Sequence, residues 1–180
     1  KVPRAPFADL TGLESVATPL VLDAARDPYA RALARMVGQA VSSSRPVIPD
    51  AQALLELVSV IASGARSGVP HAHRAAARAF IDDHLTDTSL SASDVARGAG
   101  ISERHLSRVF ADAGTSVPRQ ILARRLDLAY AMLRHDSAAR THDVAAQCGF
   151  TSMAYFSQTF KRRFGVTAGD VRRSAAPGPR

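Results

Sequence analysis

The stretch that decides the fold is Thr141 to Ala168, THDVAAQCGFTSMAYFSQTFKRRFGVTA. Its pattern predicts two short helices joined by a corner at Gly149, because glycine adopts a positive φ at little steric cost. Thr151 or Ser152 is expected to cap the second helix, whose apolar residues recur at helical spacing until Gly165 ends it. A short helix, a tight turn and a second helix with a polar face are typical of a helix-turn-helix unit.

An internal repeat makes this pattern more specific. The stretch Leu90 to Pro118, LSASDVARGAGISERHLSRVFADAGTSVP, has the same design, and its Gly100 stands 49 positions before Gly149. Two such units in tandem are much rarer than one. The sequence places the units at residues 90–111 and 141–164, with one long helix from Pro118 to about His135 between them.

With both copies identified, the chain resembles the DNA-binding domain of AraC/XylS-type transcription regulators over about Arg74 to Arg173. The segments that carry the resemblance are GISERHLSRVF (Gly100–Phe110), ARRLDLAYAML (Ala123–Leu133) and CGFTSMAYFSQTFKRRFGVT (Cys148–Thr167). The family usually has a proline and an aromatic residue where this chain has Ala168 and Val171, so its final short helix is expected to dock less firmly.

The predicted fold class is all-α: two helix-turn-helix subdomains joined by a long linker helix, preceded by a small helical segment. The N-terminal helices, Pro28–Val41 and Pro49–Ala65, are amphipathic but too few to bury each other. The following domain, a second chain or a missing domain could cover them, and the sequence leaves these alternatives open. The expected domains are residues 1–70, a helical remnant of an N-terminal effector or dimerisation domain; residues 74–173, the DNA-binding domain; and residues 174–180, a disordered tail.

The net charge of +7 is unevenly spread. From Arg74 onward there are 16 Lys and Arg against 10 Asp and Glu, whereas residues 1–73 hold 7 against 6. A cationic surface on the part that carries the repeat suits binding to phosphates. An arginine-rich composition alone would also give a basic chain, so charge by itself leaves that alternative open.

Two helical faces are expected to read DNA, one on each recognition helix (residues 102–113 and 152–163). Each face lies opposite the apolar stripe of its helix. Arginine can pair with guanine, glutamine with adenine, and small apolar side chains with the thymine methyl group. Because similar positions contact bases in the resembled family, base readout is assigned to Arg104, Ser107, Arg108, Met153, Ala154, Ser157 and Gln158. Phosphate contacts are predicted for Ser102, His105, Thr151, Lys161, Arg162 and Arg163.

Other chemistry finds little support in the sequence. The single cysteine, Cys148, has no His/Asn arrangement around it and is interpreted as a small buried hydrophobe. His71 and His73 are interpreted as part of a solvated linker rather than as metal ligands. We therefore predict no enzyme activity, no cofactor and no metal. No apolar run approaches the ~20 residues of a membrane span and no signal peptide is visible, which indicates a cytoplasmic protein.

These observations favour a bacterial, sequence-specific transcription regulator that reads two adjacent major-groove segments of promoter or operator DNA. Two alternatives stay open: an all-α protein-interaction module, and an accessory factor that binds DNA without sequence preference. The resemblance further implies RNA polymerase as a partner and homodimerisation through residues 28–65. It also implies that a small-molecule effector would bind in a domain upstream of Lys1.

Overall fold

The computed structural model describes residues 22–42, 50–63, 69–136 and 138–175, and all regular structure in these ranges is α-helical, which confirms the predicted fold class. Predictions that concern residues 1–21, 43–49, 64–68 and 176–180 lie outside the described residues. The helices are α1 (Pro28–Ser42), α2 (Ala51–Ser63), α3 (Pro70–Asp83), α4 (Ala92–Gly98), α5 (Glu103–Asp112), α6 (Val117–His135), α7 (Thr141–Gln147), α8 (Met153–Phe164) and α9 (Ala168–Ala175).

The helices group into two compact units. The first unit contains the described residues up to Asp83 together with Ala92–Val117, and so holds α1 to α5. The second unit contains His84–Ser91 and the described residues from Pro118 onward, and so holds most of α6 and all of α7 to α9. Each predicted helix-turn-helix therefore lies in a different unit. That residues 74–173 fold without the N-terminal helices, as the predicted domain boundary implies, stays a prediction.

In the first unit, α3 packs against all four other helices, α1, α2, α4 and α5. Small side chains allow this close approach, since four alanines of α3 are almost completely buried: Ala72, Ala76, Ala77 and Ala79. Arg35 of α1 also makes ion pairs with Asp82 and Asp83 at the end of α3. Part of the apolar surface of α1 and α2 is thus covered by α3, a helix that follows them in the chain.

The start of α3 corrects the prediction of a solvated linker at His71 and His73. The helix begins at Pro70, where a proline fits because its missing N–H has no intrahelical partner to lose. Glu56 of α2 accepts hydrogen bonds from the backbone N–H groups of His71 at 2.8 Å and Ala72 at 3.0 Å. These groups belong to the first turn of α3, whose donors need acceptors from outside the helix. Both histidines are consequently helical, and His73 is 3% exposed.

The Glu56 carboxylate stays ionised in this position although only 3% of the residue is exposed. Burial acts to raise the pKa of Glu56, but hydrogen bonds from Gln52, the Ala72 N–H and His71, with the charge of His71, outweigh it and lower the pKa. A lowered pKa in the folded state means that the stabilisation is present above the unfolded value near 4.5. It is lost as the pH falls through the lower folded value.

We expect Glu56→Ala to lower the free energy of unfolding at pH 7 by about 1–3 kcal/mol, because it leaves buried N–H donors without their acceptor. Urea denaturation at pH 7 and pH 3 measures the effect. The difference in the free energy of unfolding between variant and parent should narrow at pH 3, because pH 3 lies below the unfolded pKa near 4.5 and the stabilisation by the ionised carboxylate decreases there. Glu103→Ala, at an exposed position on α5, is the matched control. An equal difference at both pH values would contradict the role of the ionised carboxylate.

The second unit is built around one core that joins its four helices. Its buried residues are Leu126, Ala129 and Leu133 of α6; Val144 and Ala145 of α7 with Cys148; Phe156 and Phe160 of α8; and Ala168 and Val171 of α9. The last two residues are 5% and 4% exposed, so α9 packs into this core without the proline and aromatic residue of the resembled family. Because α9 runs to Ala175, residues 174 and 175 are helical rather than part of a tail.

None of the described helices combines the length and the apolar character that a membrane span requires. Among the described residues, no three His, Cys, Asp or Glu side chains come together in a way that could hold a metal ion.

Candidate nucleic-acid interface

The first helix-turn-helix consists of α4 and α5. Gly100 forms the corner with φ 69°, as predicted. The Ser102 hydroxyl caps α5 by accepting a hydrogen bond from the His105 N–H at 3.2 Å. The inward face of α5 is apolar and almost completely buried through Leu106, Val109 and Phe110. The corner and the cap together fix which face of α5 is turned to solvent.

The outward face of α5 carries the predicted base readers of the first copy. Arg104, Ser107 and Arg108 are all exposed. Their positions at i, i+3 and i+4 place them on one side of the helix. The predicted exposure of this face is confirmed, whereas its contact with bases stays a prediction.

The second helix-turn-helix, formed by α7 and α8, repeats the geometry. Gly149 has φ 81°, and a Cβ atom there would lie 2.9 Å from both the Arg125 guanidinium and the Leu85 carbonyl oxygen. Glycine is therefore required at this corner for its φ and for space. Of the two candidate caps, Ser152 is the one used: its hydroxyl accepts from the Tyr155 N–H at 3.3 Å. Gly165 ends α8 with φ 75°.

A polar residue within the buried stripe of α8 is satisfied locally. Thr159 is 2% exposed, and its hydroxyl donates to the Tyr155 carbonyl oxygen at 2.7 Å. Its neighbours on this face, Phe156 and Phe160, are completely buried. On the opposite face, Ala154, Ser157, Gln158 and Lys161 are exposed. Met153 differs from them, because it is only partly exposed and packs against the core of the second unit.

Three of the predicted phosphate-binding side chains already have partners within the protein, the first being Ser102, whose hydroxyl accepts the capping hydrogen bond from the His105 N–H. The His105 ring lies between His73 of α3 and Arg108, with contacts of 2.7 and 2.8 Å. The Arg163 guanidinium binds Asp127 of α6, with Nε and Nη2 donating to Oδ1 at 3.0 and 2.8 Å. Ser102 is nevertheless exposed, as are the remaining predicted phosphate ligands: Thr151, Lys161 and Arg162.

Tyr155 is a surface residue that the sequence reasoning missed. Its side chain lies in the first turn of α8, beside Ala154, and the residue is 50% exposed. The signal was present in the sequence, since Tyr155 falls outside the stripe of Phe156, Thr159 and Phe160 and so belongs to the outward side of the helix. A half-exposed aromatic side chain with a hydroxyl can make both apolar and hydrogen-bonded contacts.

Cys148 takes the structural role that the sequence predicted. It is completely buried, and its Sγ lies 3.7 Å from the Met132 Sδ. Burial raises the pKa of the Cys148 thiol to about 11, although the positive charge of Arg125 acts in the opposite direction. A thiol with this pKa is protonated at neutral pH, and the thiolate is the reactive form.

Comparisons with known proteins agree with this geometry. Residues 95–174 match a family described as a helix-turn-helix domain. The chain is 35% identical over 108 residues to the transcriptional activator RhrA of Rhizobium meliloti. The aligned region covers 59% of this chain and 34% of RhrA. It is 38% identical over 97 residues to the transcriptional regulator Rob of Salmonella typhimurium, and the aligned region covers 53% of this chain and 33% of Rob. The chain thus spans about a third of the length of these curated relatives.

A solved structure shows the same similarity at the level of the fold. The crystal structure of a transcriptional regulator from Chromobacterium violaceum, described as having an AraC-type DNA-binding domain, matches with a TM-score of 0.52. The sequence identity is 28%, and the match covers 57% of this chain and 91% of that chain.

Proposed function

We propose that the chain is a sequence-specific DNA-binding transcription regulator of the AraC/XylS type, because residues 95–174 match a helix-turn-helix family, the relative RhrA is a transcriptional activator and the solved neighbour has an AraC-type DNA-binding domain. In this proposal, α5 and α8 each enter the major groove and read adjacent segments. The observation that carries the proposal is the duplicated geometry: each helix is capped by a serine, buries an apolar face and presents a polar one.

The outward faces suggest a chemical role for each proposed base reader. Arg104 and Arg108 offer bidentate donors for guanine O6 and N7, and Gln158 matches the N6 and N7 edge of adenine. The Ala154 methyl group suits a thymine methyl group. The complete set proposed for base readout is Arg104, Ser107, Arg108, Met153, Ala154, Ser157 and Gln158.

Phosphate contacts would surround these faces and set the position of each helix on the duplex. The proposed set is Ser102, His105, Thr151, Lys161, Arg162 and Arg163, to which the exposure of Tyr155 adds one residue. For Arg163, a phosphate would compete with the carboxylate of Asp127. For His105, it would compete with the ring contacts to His73 and Arg108. Lys161 and Arg162 are exposed basic residues in the last turn of α8.

Lys161→Ala should weaken binding to every DNA sequence by a similar factor, because a phosphate contact carries no base information. The slope of log K against log salt concentration should become shallower by about 0.9, the value for one phosphate contact on B-DNA. Fluorescence anisotropy at several salt concentrations measures this slope. Arg26→Ala, which removes an exposed charge outside both helix-turn-helix units, is the control. An unchanged slope would remove Lys161 from the phosphate set.

The proposal as a whole is tested by competition between DNA sites selected from a random library and random DNA. A sequence-specific regulator should prefer its selected sites by roughly 10³-fold or more at physiological salt. Binding without preference would favour the accessory factor. The absence of binding at low salt would favour the protein-interaction module.

Further partners are proposed on narrower grounds. RNA polymerase is proposed because the relative RhrA is named a transcriptional activator. Self-association through residues 28–65 is supported by two exposed apolar residues one turn apart on α1, Val37 and Val41. The segments 43–49 and 64–65 of that range lie outside the described residues. Sedimentation of the chain over a range of concentrations tests whether it forms a dimer. An effector domain before Lys1 is proposed from the family resemblance alone.

A further inference from the structure

A pair of histidines connects the interior of the first unit to a proposed base reader. His105 of α5 lies with its Nε2 2.7 Å from the Nδ1 of His73 on α3. The other ring nitrogen of His105, Nδ1, lies 2.8 Å from the Nη2 of Arg108. Both ring nitrogens of His105 are thus engaged within the protein.

The chemistry of these groups permits one arrangement of hydrogens. A guanidinium can only donate, so the Nδ1 of His105 must accept from Arg108. His105 is then neutral with its hydrogen on Nε2, and that N–H donates to the Nδ1 of His73. A phosphate contact from the His105 ring would require one of these two hydrogen bonds to break.

The three residues form a chain of hydrogen bonds, His73–His105–Arg108, here called the relay. Its inner end, His73, is held in place by packing. His73 is 3% exposed, and its ring meets the His105 ring edge to face, with centroids 4.6 Å apart. The centroid of the Tyr29 ring from α1 lies 6.0 Å from that of His73. Arg108, at the outer end, is exposed. The relay therefore connects a fixed ring to a side chain that would otherwise sample many rotamers.

The second copy carries different residues at the corresponding places. Fifty positions after His105 stands Tyr155, which is half exposed, and fifty positions after Arg108 stands Gln158. Glutamine is shorter than arginine and has fewer rotatable bonds. The relay is accordingly a feature of the first copy, where a long side chain has to be oriented.

We propose that His73 is a positioning residue for DNA recognition: acting through His105, it holds the Arg108 guanidinium in one orientation before DNA binds. This inference rests on the proposed function, in which Arg108 reads a base. Ordering a long side chain in advance removes part of the entropy cost of binding. The resulting gain in affinity is limited to DNA sites that carry the base pair read by Arg108, and affinity for other DNA is not raised.

The test compares two substitutions in the full 180-residue chain. His73→Phe keeps a ring but removes the acceptor, whereas His73→Asn keeps a polar side chain whose amide oxygen can accept near the position of Nδ1. We expect His73→Phe to reduce discrimination at the Arg108-dependent base pair by about 2- to 12-fold, the range for ordering one long side chain. His73→Asn should restore most of it, and affinity for random DNA should remain unchanged in both variants.

A double-mutant cycle with Arg108→Ala tests that the effect passes through Arg108. In that background, His73→Phe should change discrimination no further. An equal loss of affinity for all sequences, or a full additional loss without Arg108, would overturn the proposal.

A measurement on the free protein separates this inference from the proposed function. At a pH well above the ordinary pKa of an imidazole, the ¹⁵N shifts of the histidine rings should show His105 as the neutral Nε2–H tautomer in the parent, and the Nε2 signal should move in His73→Phe because its N–H loses its acceptor. If the chain shows no DNA sequence preference but His105 has this tautomer, the proposed regulator function is disproved while the hydrogen-bonded relay is still supported. A protonated His105, or the Nδ1–H tautomer, would overturn the relay.

Discussion

Phe160→Ala is expected to lower the free energy of unfolding by about 3–5 kcal/mol, the usual cost of replacing a fully buried phenylalanine. Phe160 is completely buried in the core of the second unit. Its ring centroid lies 4.7 Å from that of Phe164, 5.3 Å from that of Phe156 and 6.2 Å from that of Tyr130. The substitution would leave a cavity directly beneath the outward face of α8. Because this face depends on the core for its position, the proposed DNA contacts of α8 should be lost as well.

Chemical denaturation followed by circular dichroism measures this effect. Because small domains are stable by about 5–15 kcal/mol in total, the expected loss is a large share of the whole. Tyr155→Ala removes a half-exposed aromatic residue from the same helix and should change stability by no more than about 0.5 kcal/mol. A loss below about 1 kcal/mol for Phe160→Ala would contradict the core described for the second unit.

The double substitution Arg108→Ala with Gln158→Ala is expected to cost about 2–6 kcal/mol on the selected DNA site. Each side chain, if it reads a base, contributes about 1–3 kcal/mol of discrimination. The two residues lie in different compact units, so their effects should add. Each single substitution should relax the base preference at the base pair that the substituted residue contacts. The base preference at the other base pair should stay as in the parent.

Matched controls are available on the first helices of the two helix-turn-helix units. Arg97→Ala on α4 and Gln147→Ala on α7 remove the same side-chain types from exposed positions. They should leave base preference unchanged, as judged by competition with sites altered one base pair at a time. An equal loss on every sequence for Arg108→Ala or Gln158→Ala would reduce that residue to a contact with the DNA backbone.

Local features of the helix-turn-helix units could be predicted from sequence because their causes lie close together in the chain. Gly100 and Gly149 adopt the positive φ that each corner needs. Ser102 and Ser152 cap the following helices through N–H groups three residues on. Both the repeat and the apolar spacing that select the buried faces are visible directly in the sequence.

Contacts between distant residues could not be predicted in the same way. Glu56 caps α3 from another helix, through the N–H groups of residues 15 and 16 positions later. Asp127 binds Arg163 across 36 positions, and His73 meets His105 across 32. Helical periodicity fixes which face each of these residues occupies, but not which side chain of another helix lies opposite. The sequence therefore predicted the exposed faces of α5 and α8 and missed the contacts that hold some of their side chains.

The most direct test of the account is a base-by-base interference experiment on a selected site, with the parent chain and the two single variants. We expect two clusters of required bases in successive major-groove segments, about 10–10.5 base pairs from centre to centre. Arg108→Ala should release bases in one cluster only, and Gln158→Ala should release bases in the other. A single cluster, or bases that respond to both substitutions alike, would contradict the reading of two segments by α5 and α8.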